Sequence, residues 1–219
     1  MPFDFFDRIY CINLDERKDR WEQVNAEFES VGLAGKVERL SAVKIENRKK
    51  ACKLSHTKCV EQAFDAGLEN VLIFEDDVRF IHTDIGPLRE AIKKLSQIKN
   101  WELFYLGGRP VRPAAFASRH LIECSFWGNH AYAVHKRAWP YFEEMNSSPT
   151  HKDVWFAEHV KESYGLYPAM ATQAPGYSDI KRDFLDNKTQ IYKEHYEKFV
   201  EPRAFHRFWL KLKHTFCAR

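Results

Sequence analysis

The sequence predicts an α/β domain. Short apolar runs of strand length alternate with longer segments of helical period, and the links between them are short. One run, Val71-Leu72-Ile73-Phe74, is apolar without a break, as in a strand buried on both faces. A largely parallel sheet is the expected core.

The elements follow in order. Arg8-Ile9-Tyr10-Cys11-Ile12-Asn13-Leu14 is rich in strand formers and gives the first strand. The polar stretch 15–20 opens a helix in which Trp21, Val24, Phe28 and Val31 recur at helical spacing, stopped by Gly32. Residues 36–42 read as a second strand and 44–50 as a basic, polar connection. A helix over 52–64 carries Leu54, Cys59, Val60, Ala63 and Phe64 on related faces, with Gly67 beyond it. After the apolar strand come a helix over 88–98 and a strand over 102–106, stopped by Gly107-Gly108. Residues 109–117 hold two prolines and no period, which reads as a loop near a site. Two strands, 120–125 and 129–135, flank Gly128, and helices follow over 137–145 and 153–162. From Thr189 the chain reads as helical. There is no internal repeat and no Pro/Gly/Ser linker. The organisation is one domain over 1–188 with a basic-aromatic helical extension over 189–219.

Composition narrows the class. The 219 residues include 17 Phe, 9 Tyr and 6 Trp but only 9 Gly and 9 Pro. That excludes disordered, collagen-like and low-complexity chains. With 34 basic and 31 acidic residues the net charge is +3, too balanced to point to nucleic acid as a partner. Cys11, Cys52, Cys59, Cys124 and Cys217 lack paired spacing, so they read as free thiols in a reducing compartment. No apolar run reaches 18 residues, and Met1-Pro2-Phe3-Asp4-Phe5-Phe6-Asp7 lacks the form of a signal peptide. The expected location is cytoplasmic.

The most informative feature is Glu75-Asp76-Asp77, directly after the apolar strand. Open α/β sheets bind ligands beyond the carboxyl ends of their strands. Three successive carboxylates repel one another and are best tolerated beside a divalent cation or positive groups. Hard oxygen ligands suit Mg²⁺ or Mn²⁺, which would bridge diphosphate oxygens. The alternative is a solvated acidic turn.

Four other segments extend the pattern. They are Ile12-Asn13-Leu14-Asp15-Glu16-Arg17-Lys18-Asp19-Arg20, Leu54-Ser55-His56, Gly128-Asn129-His130-Ala131-Tyr132 and Ser178-Asp179-Ile180. In this order and at these separations the set resembles glycosyltransferase family 25, over roughly residues 8–180. That resemblance implies a GT-A-type, Rossmann-like sandwich that binds a nucleoside-diphosphate sugar, with the domain over 1–188 as the catalytic one. It implies a metal-dependent, inverting transfer of a hexose, galactose first among them, from a UDP-sugar to a glycan or lipid-linked glycan acceptor in surface polysaccharide synthesis.

Residue by residue, the resemblance makes Asp77 the leading ligand of a Mn²⁺ or Mg²⁺ ion, with Asp76 beside it. Asp76 or Glu75 would face the ribose or donor sugar. Asn13, Leu14, Arg17 and Arg20 match the nucleotide-binding start, where a guanidinium can pair with phosphate and stack on a base. An exposed first helical turn is the other reading of the arginines. Ser55 and His56 match a Ser-His pair at a helix start, suited to donor oxygens; a satisfied, half-buried histidine is the other reading. The family's Gly-Cys before that pair is Ala51-Cys52 here, so no glycine is present for close backbone approach. Gly128 would admit the substrate, Tyr132 reads equally as core, and His130 would reach the acceptor side. Asp153 in His151-Lys152-Asp153-Val154-Trp155 is the candidate general base, and it also has the form of a helix N-cap. Trp155 would stack on the acceptor sugar. Asp179 would complete the donor site.

Beyond Pro202 the chain mixes Arg203, Arg207, Lys211, Lys213 and Arg219 with Phe205, Phe208, Trp209, Leu212 and Phe216. This suits either peripheral contact with the inner face of a membrane or a helix packed on the domain. Two other functions fit an acidic strand end: a metal-dependent phosphotransferase or nuclease, and a binding module without turnover.

Overall fold

A computed structural model describes residues 1–174, 176–178, 183–185 and 188–200. Asp179 and the segment 201–219 lie outside the described residues.

The chain begins with a 3-10 turn (Pro2–Phe5), β1 (Arg8–Asn13), α1 (Lys18–Ser30), β2 (Glu38–Ser41), α2 (Arg48–Asp65), β3 (Asn70–Glu75) and β4 (Val78–Phe80). Then come α3 (Gly86–Leu95), β5 (Leu103–Tyr105), β6 (Arg109–Pro110), β7 (Ala115–Phe116), β8 (Leu121–Glu123), β9 (Phe126–Trp127) and β10 (Ala131–His135). After a 3-10 turn follow α4 (Trp139–Ser147), α5 (Lys152–His159), β11 (Ser163–Leu166) and β12 (Ala171–Gln173). The last described elements are β13 (Gly176–Ser178), β14 (Asp183–Leu185) and α6 (Lys188–Phe199).

Eight strands form one sheet in the order β2-β1-β3-β10-β5-β11-β8-β7. β1 runs parallel to β2 and β3, and β5 runs parallel to β11. β10 is antiparallel to both β3 and β5, and β8 is antiparallel to β11 and β7. The α/β, Rossmann-like class is therefore as expected, but the sheet is mixed rather than largely parallel. An apolar run reads the same in either direction, so the reversed β10 carried no signal.

Alternation along the strands divides the core in two. Cys11, Leu72, Phe74 and Phe104 face α1 and α3, through Val24, Phe28, Leu88 and Leu95. Ile12, Ile73, Tyr105 and Tyr132 face α2, α4 and α5, through Val60, Ala63, Phe142 and Phe156. Val71, Leu72, Ile73 and Phe74 are fully buried, as a strand covered on both faces requires.

Three local readings change. The connection read over 44–50 ends early, because Asn47 caps α2 by accepting from the Lys50 N–H at 3.1 Å. The loop read over 109–117 contributes β6 and β7, too short to show a period. β11 was not read at all, since Ser163-Tyr164-Gly165-Leu166 has neither a clean alternation nor a continuous apolar run. α6 packs on the same body. The Tyr196 hydroxyl donates to Gly108 O at 3.0 Å, and Val200 is fully buried. Cys11, Cys52, Cys59 and Cys124 are free thiols. No described helix is long and apolar enough to cross a membrane.

Candidate active site

The site forms where β1 and β3 end together. Their parallel register sets Ile12 against Glu75, so the next residues, Asn13 and Asp76, emerge side by side toward α1. The Asn13 Nδ2 donates to Asp76 Oδ2 at 2.7 Å and to Arg17 O at 3.1 Å. Its Oδ1 accepts from Arg39 Nε at 2.9 Å. Arg20, from the first turn of α1, donates to Asp76 Oδ1 at 3.1 Å. Both carboxylate oxygens of Asp76 thus have protein donors. Burial still raises its carboxyl above the ordinary value, against the pull of Arg20 and Asn13.

Glu75 points to the opposite face, toward α2. Its Oε1 accepts from Lys152 Nζ at 2.9 Å and lies 3.0 Å from His56 Nε2. Its Oε2 accepts from Gln173 Nε2 at 3.3 Å. Burial opposes ionisation of Glu75, but Lys152 and His56 outweigh it and hold its carboxyl well below the usual carboxylate range. His56 is buried and also meets the Tyr132 hydroxyl, 3.0 Å from Nδ1. A carboxylate only accepts, so Nε2 carries the proton and Nδ1 accepts from Tyr132. Burial, and then the charge of Lys152, push the His56 imidazole down to about 4.

Asp77 is half-buried, and Gln173 Nε2 lies 3.3 Å from each of its oxygens. Gln173 therefore links Glu75 to Asp77 from β12. On the other side, Lys152 links Glu75 to Asp153, whose Oδ1 is 3.3 Å from Nζ. Burial works against the Lys152 ammonium, but Asp153 and Glu75 hold it well above the ordinary lysine value. Asp153 Oδ2 accepts from the Gly128 N–H at 3.2 Å. Gly128 has φ +92°, a conformation that side chains rarely adopt, and so presents its N–H to Asp153.

A cleft of about 620 Å³ opens over these groups, within the usual range for small-ligand sites. Of the residues read from the sequence, Leu14, Arg20, Ser55, His56, Glu75, Asp76 and Asp77 line it. Lys44, Arg48, Cys52 and Gln173 also line it and were not singled out. Lys44 and Arg48 lay in a stretch read as a plain connection. Gln173 carried no signal. Cys52 stood in the motif but was read only as a thiol. Burial pushes that thiol up to about 12. Lys152, next to Asp153, was also missed, because apolar neighbours on one helix do not mark a buried ammonium.

Other expected positions differ. Ser55 and His56 lie in the interior of α2, not at its start, so the helix N-terminus does not explain them. Ser55 Oγ instead accepts from the Val43 N–H and donates to Ala51 O, each at 2.8 Å. The Arg17 guanidinium pairs with Asp19, Nε to Oδ1 at 3.0 Å and Nη2 to Oδ2 at 2.9 Å, and does not line the cleft. His130 is fully buried, its carbonyl accepting from the Glu75 N–H at 2.9 Å. Trp155 is buried with its ring stacked on His159 at 4.2 Å and set edge-on to Tyr141 and Phe156. Two residues on a helix point about 200° apart, so Trp155 turns from the face that Asp153 presents.

Comparison with known proteins bears on part of these segments, Ser55-His56 and Glu75-Asp76-Asp77 among them. Residues 39–110 match the family model "Glycosyltransferase family 25 (LPS biosynthesis protein)". The human protein "Inactive glycosyltransferase 25 family member 3" is 28% identical over 135 residues, 49% of this chain and 23% of its own length. Human "Procollagen galactosyltransferase 2" is 31% identical over 129 residues, 47% of this chain and 21% of its own length. The matches thus take in about half of this chain and under a quarter of each relative. Among solved structures, a glycosyltransferase involved in glycosylation of the major capsid of PBCV-1 aligns at a TM-score of 0.45 and 13% identity, over 70% of this chain and 74% of that one. The resemblance read from the sequence is borne out over the matched segment.

Proposed function

We propose that this relative of glycosyltransferase family 25 transfers a hexose from a UDP-sugar to a glycan acceptor, with galactose the leading sugar and surface glycan synthesis the setting. One observation carries the reading. Glu75-Asp76-Asp77 ends a central strand inside a cleft of ligand size, with Asp76 fixed between Asn13 and Arg20.

The donor set fits a Mg²⁺ or Mn²⁺ ion, which takes one or two carboxylates together with substrate phosphates. Asp77 is the leading ligand by the family resemblance and meets Gln173 at the mouth of β12, while Asp76, held by Asn13 and Arg20, orients the strand end. When bound, such an ion offsets the charge that builds on the departing diphosphate. Arg20, Lys44 and Arg48 add positive charge along the cleft. Asp153 takes the acceptor hydroxyl proton, oriented by Lys152 and the Gly128 N–H. Direct displacement with inversion requires that base opposite the leaving group.

The test is calorimetric titration of UDP and UDP-sugars, with Mn²⁺ or with EDTA, on the native protein and on Asp77→Ala. Metal-dependent binding that the variant loses is the expected result. A folded native protein that binds no nucleotide overturns the reading. The name of one relative, which calls it inactive, favours a second reading, a donor-binding module without turnover. Sugar transfer to a matched acceptor separates the two.

A further inference from the structure

We propose that Cys52, His56 and Glu75 form an open three-ligand site for a thiophilic divalent cation such as Zn²⁺, distinct from the carboxylate site at Asp77. Cys52 and His56 stand one turn apart on α2, the i, i+4 spacing that puts two side chains on one helix face. Glu75 meets them from the end of β3. One ligand atom from each lies within 4.8 Å of the others, and all three residues line the cleft. A tetrahedral zinc sets its ligands about 3.5 Å apart, so side-chain closure of about 1 Å completes the triangle. The fourth position opens to the cleft.

The chemistry of the donors sets the class of ion. A thiolate with an imidazole favours Zn²⁺ and disfavours Mg²⁺ and Mn²⁺. The surroundings can absorb the change. The Cys52 thiol gives its proton to solvent. The His56 proton moves from Nε2 to Nδ1, where the Tyr132 hydroxyl turns from donor to acceptor, leaving the Nε2 lone pair for the ion. The ion displaces the Lys152 ammonium from Glu75, and Asp153 retains it. Occupation therefore removes the Lys152 link between the donor-side strand end and Asp153, and makes Zn²⁺ a reversible inhibitor if the proposed transfer holds.

The binding claim stands without that reading and is tested without it. Co²⁺ is titrated into the full chain while its spectrum is recorded. A thiolate-to-cobalt band in the near ultraviolet and tetrahedral bands in the visible are expected, displaced by Zn²⁺ and not by equal Mg²⁺. Cys52→Ser is expected to lose the thiolate band and at least tenfold in Co²⁺ affinity, with an unchanged circular dichroism spectrum. Glu75→Gln is expected to weaken Co²⁺ while retaining the thiolate band. A native protein without the band overturns the proposal, as does a Cys52→Ser variant that keeps both band and affinity. UDP binding, followed separately, reports on the donor site alone.

Discussion

Asn13 and Asp76, 63 positions apart in sequence, are joined by a 2.7 Å hydrogen bond where two parallel strands end together. Asn13 is buried, and the amide that holds the carboxylate also holds the backbone of the turn into α1. Removing it leaves a buried carboxylate oxygen short of its donor. Asn13→Ala is expected to cost about 1–3 kcal/mol of unfolding free energy. Urea denaturation measures this, and UDP titration of the folded variant is expected to show weaker binding.

Asp77 is half-buried, and Gln173 Nε2 meets both of its oxygens at 3.3 Å. Asp77→Asn keeps the size of the side chain and an oxygen for Gln173, and is expected to change stability by less than about 1 kcal/mol. The same substitution is expected to abolish the Mn²⁺ dependence of UDP binding. Melting temperature and calorimetry on one preparation read both effects.

Asp153, the proposed base, allows the proposed chemistry to be tested apart from donor binding. Asp153→Asn keeps an oxygen for the Gly128 N–H but removes the proposed base. Transfer to acceptor is expected to fall by about 10²-fold or more. UDP affinity is expected to stay within twofold, since Asp153 is not among the residues that line the cleft. A product assay and a UDP titration, run side by side, check the two halves of the expectation.

His56 predicts how stability depends on pH. Its imidazole has an ordinary value of 6.5 and is held down to about 4 in the fold. Between those values the unfolded chain takes up a proton that the folded chain refuses. The His56 contribution is thus complete above pH 6.5 and is lost as pH falls through about 4. The slope from this group approaches about 1.4 kcal/mol per pH unit within that window. Glu75, held below its ordinary value, adds a loss of the same sign at lower pH. Urea midpoints measured from pH 7 to pH 4 in chelator-treated protein are expected to fall, and His56→Gln is expected to flatten the curve above pH 5.

What the sequence disclosed depended on whether a residue's role has a local signature. The continuous run 71–74 announced a strand buried on both faces, and the carboxylates after it announced a strand-end site. Asn13, Arg20, Ser55 and His56 were legible because they stand in segments with a shared order. Lys152 had no such signature, since only the fold brings Glu75 to it across 77 positions. Trp155 was misplaced because residue type says nothing of the face it occupies. Helical geometry already sets it opposite Asp153. The reversal of β10 was illegible for a related reason, as direction leaves no trace in alternation.

Lys152 and Asp153 are consecutive at the start of α5, yet they reach different strands: one to the end of β3, the other to the glycine before β10. The helix therefore acts as a pin through two plates. Sliding α5 by a fraction of a turn would disturb both attachments at once, and no rotation loosens one while preserving the other. Sequence drift on α5 is for this reason felt jointly at the end of β3 and at the glycine before β10.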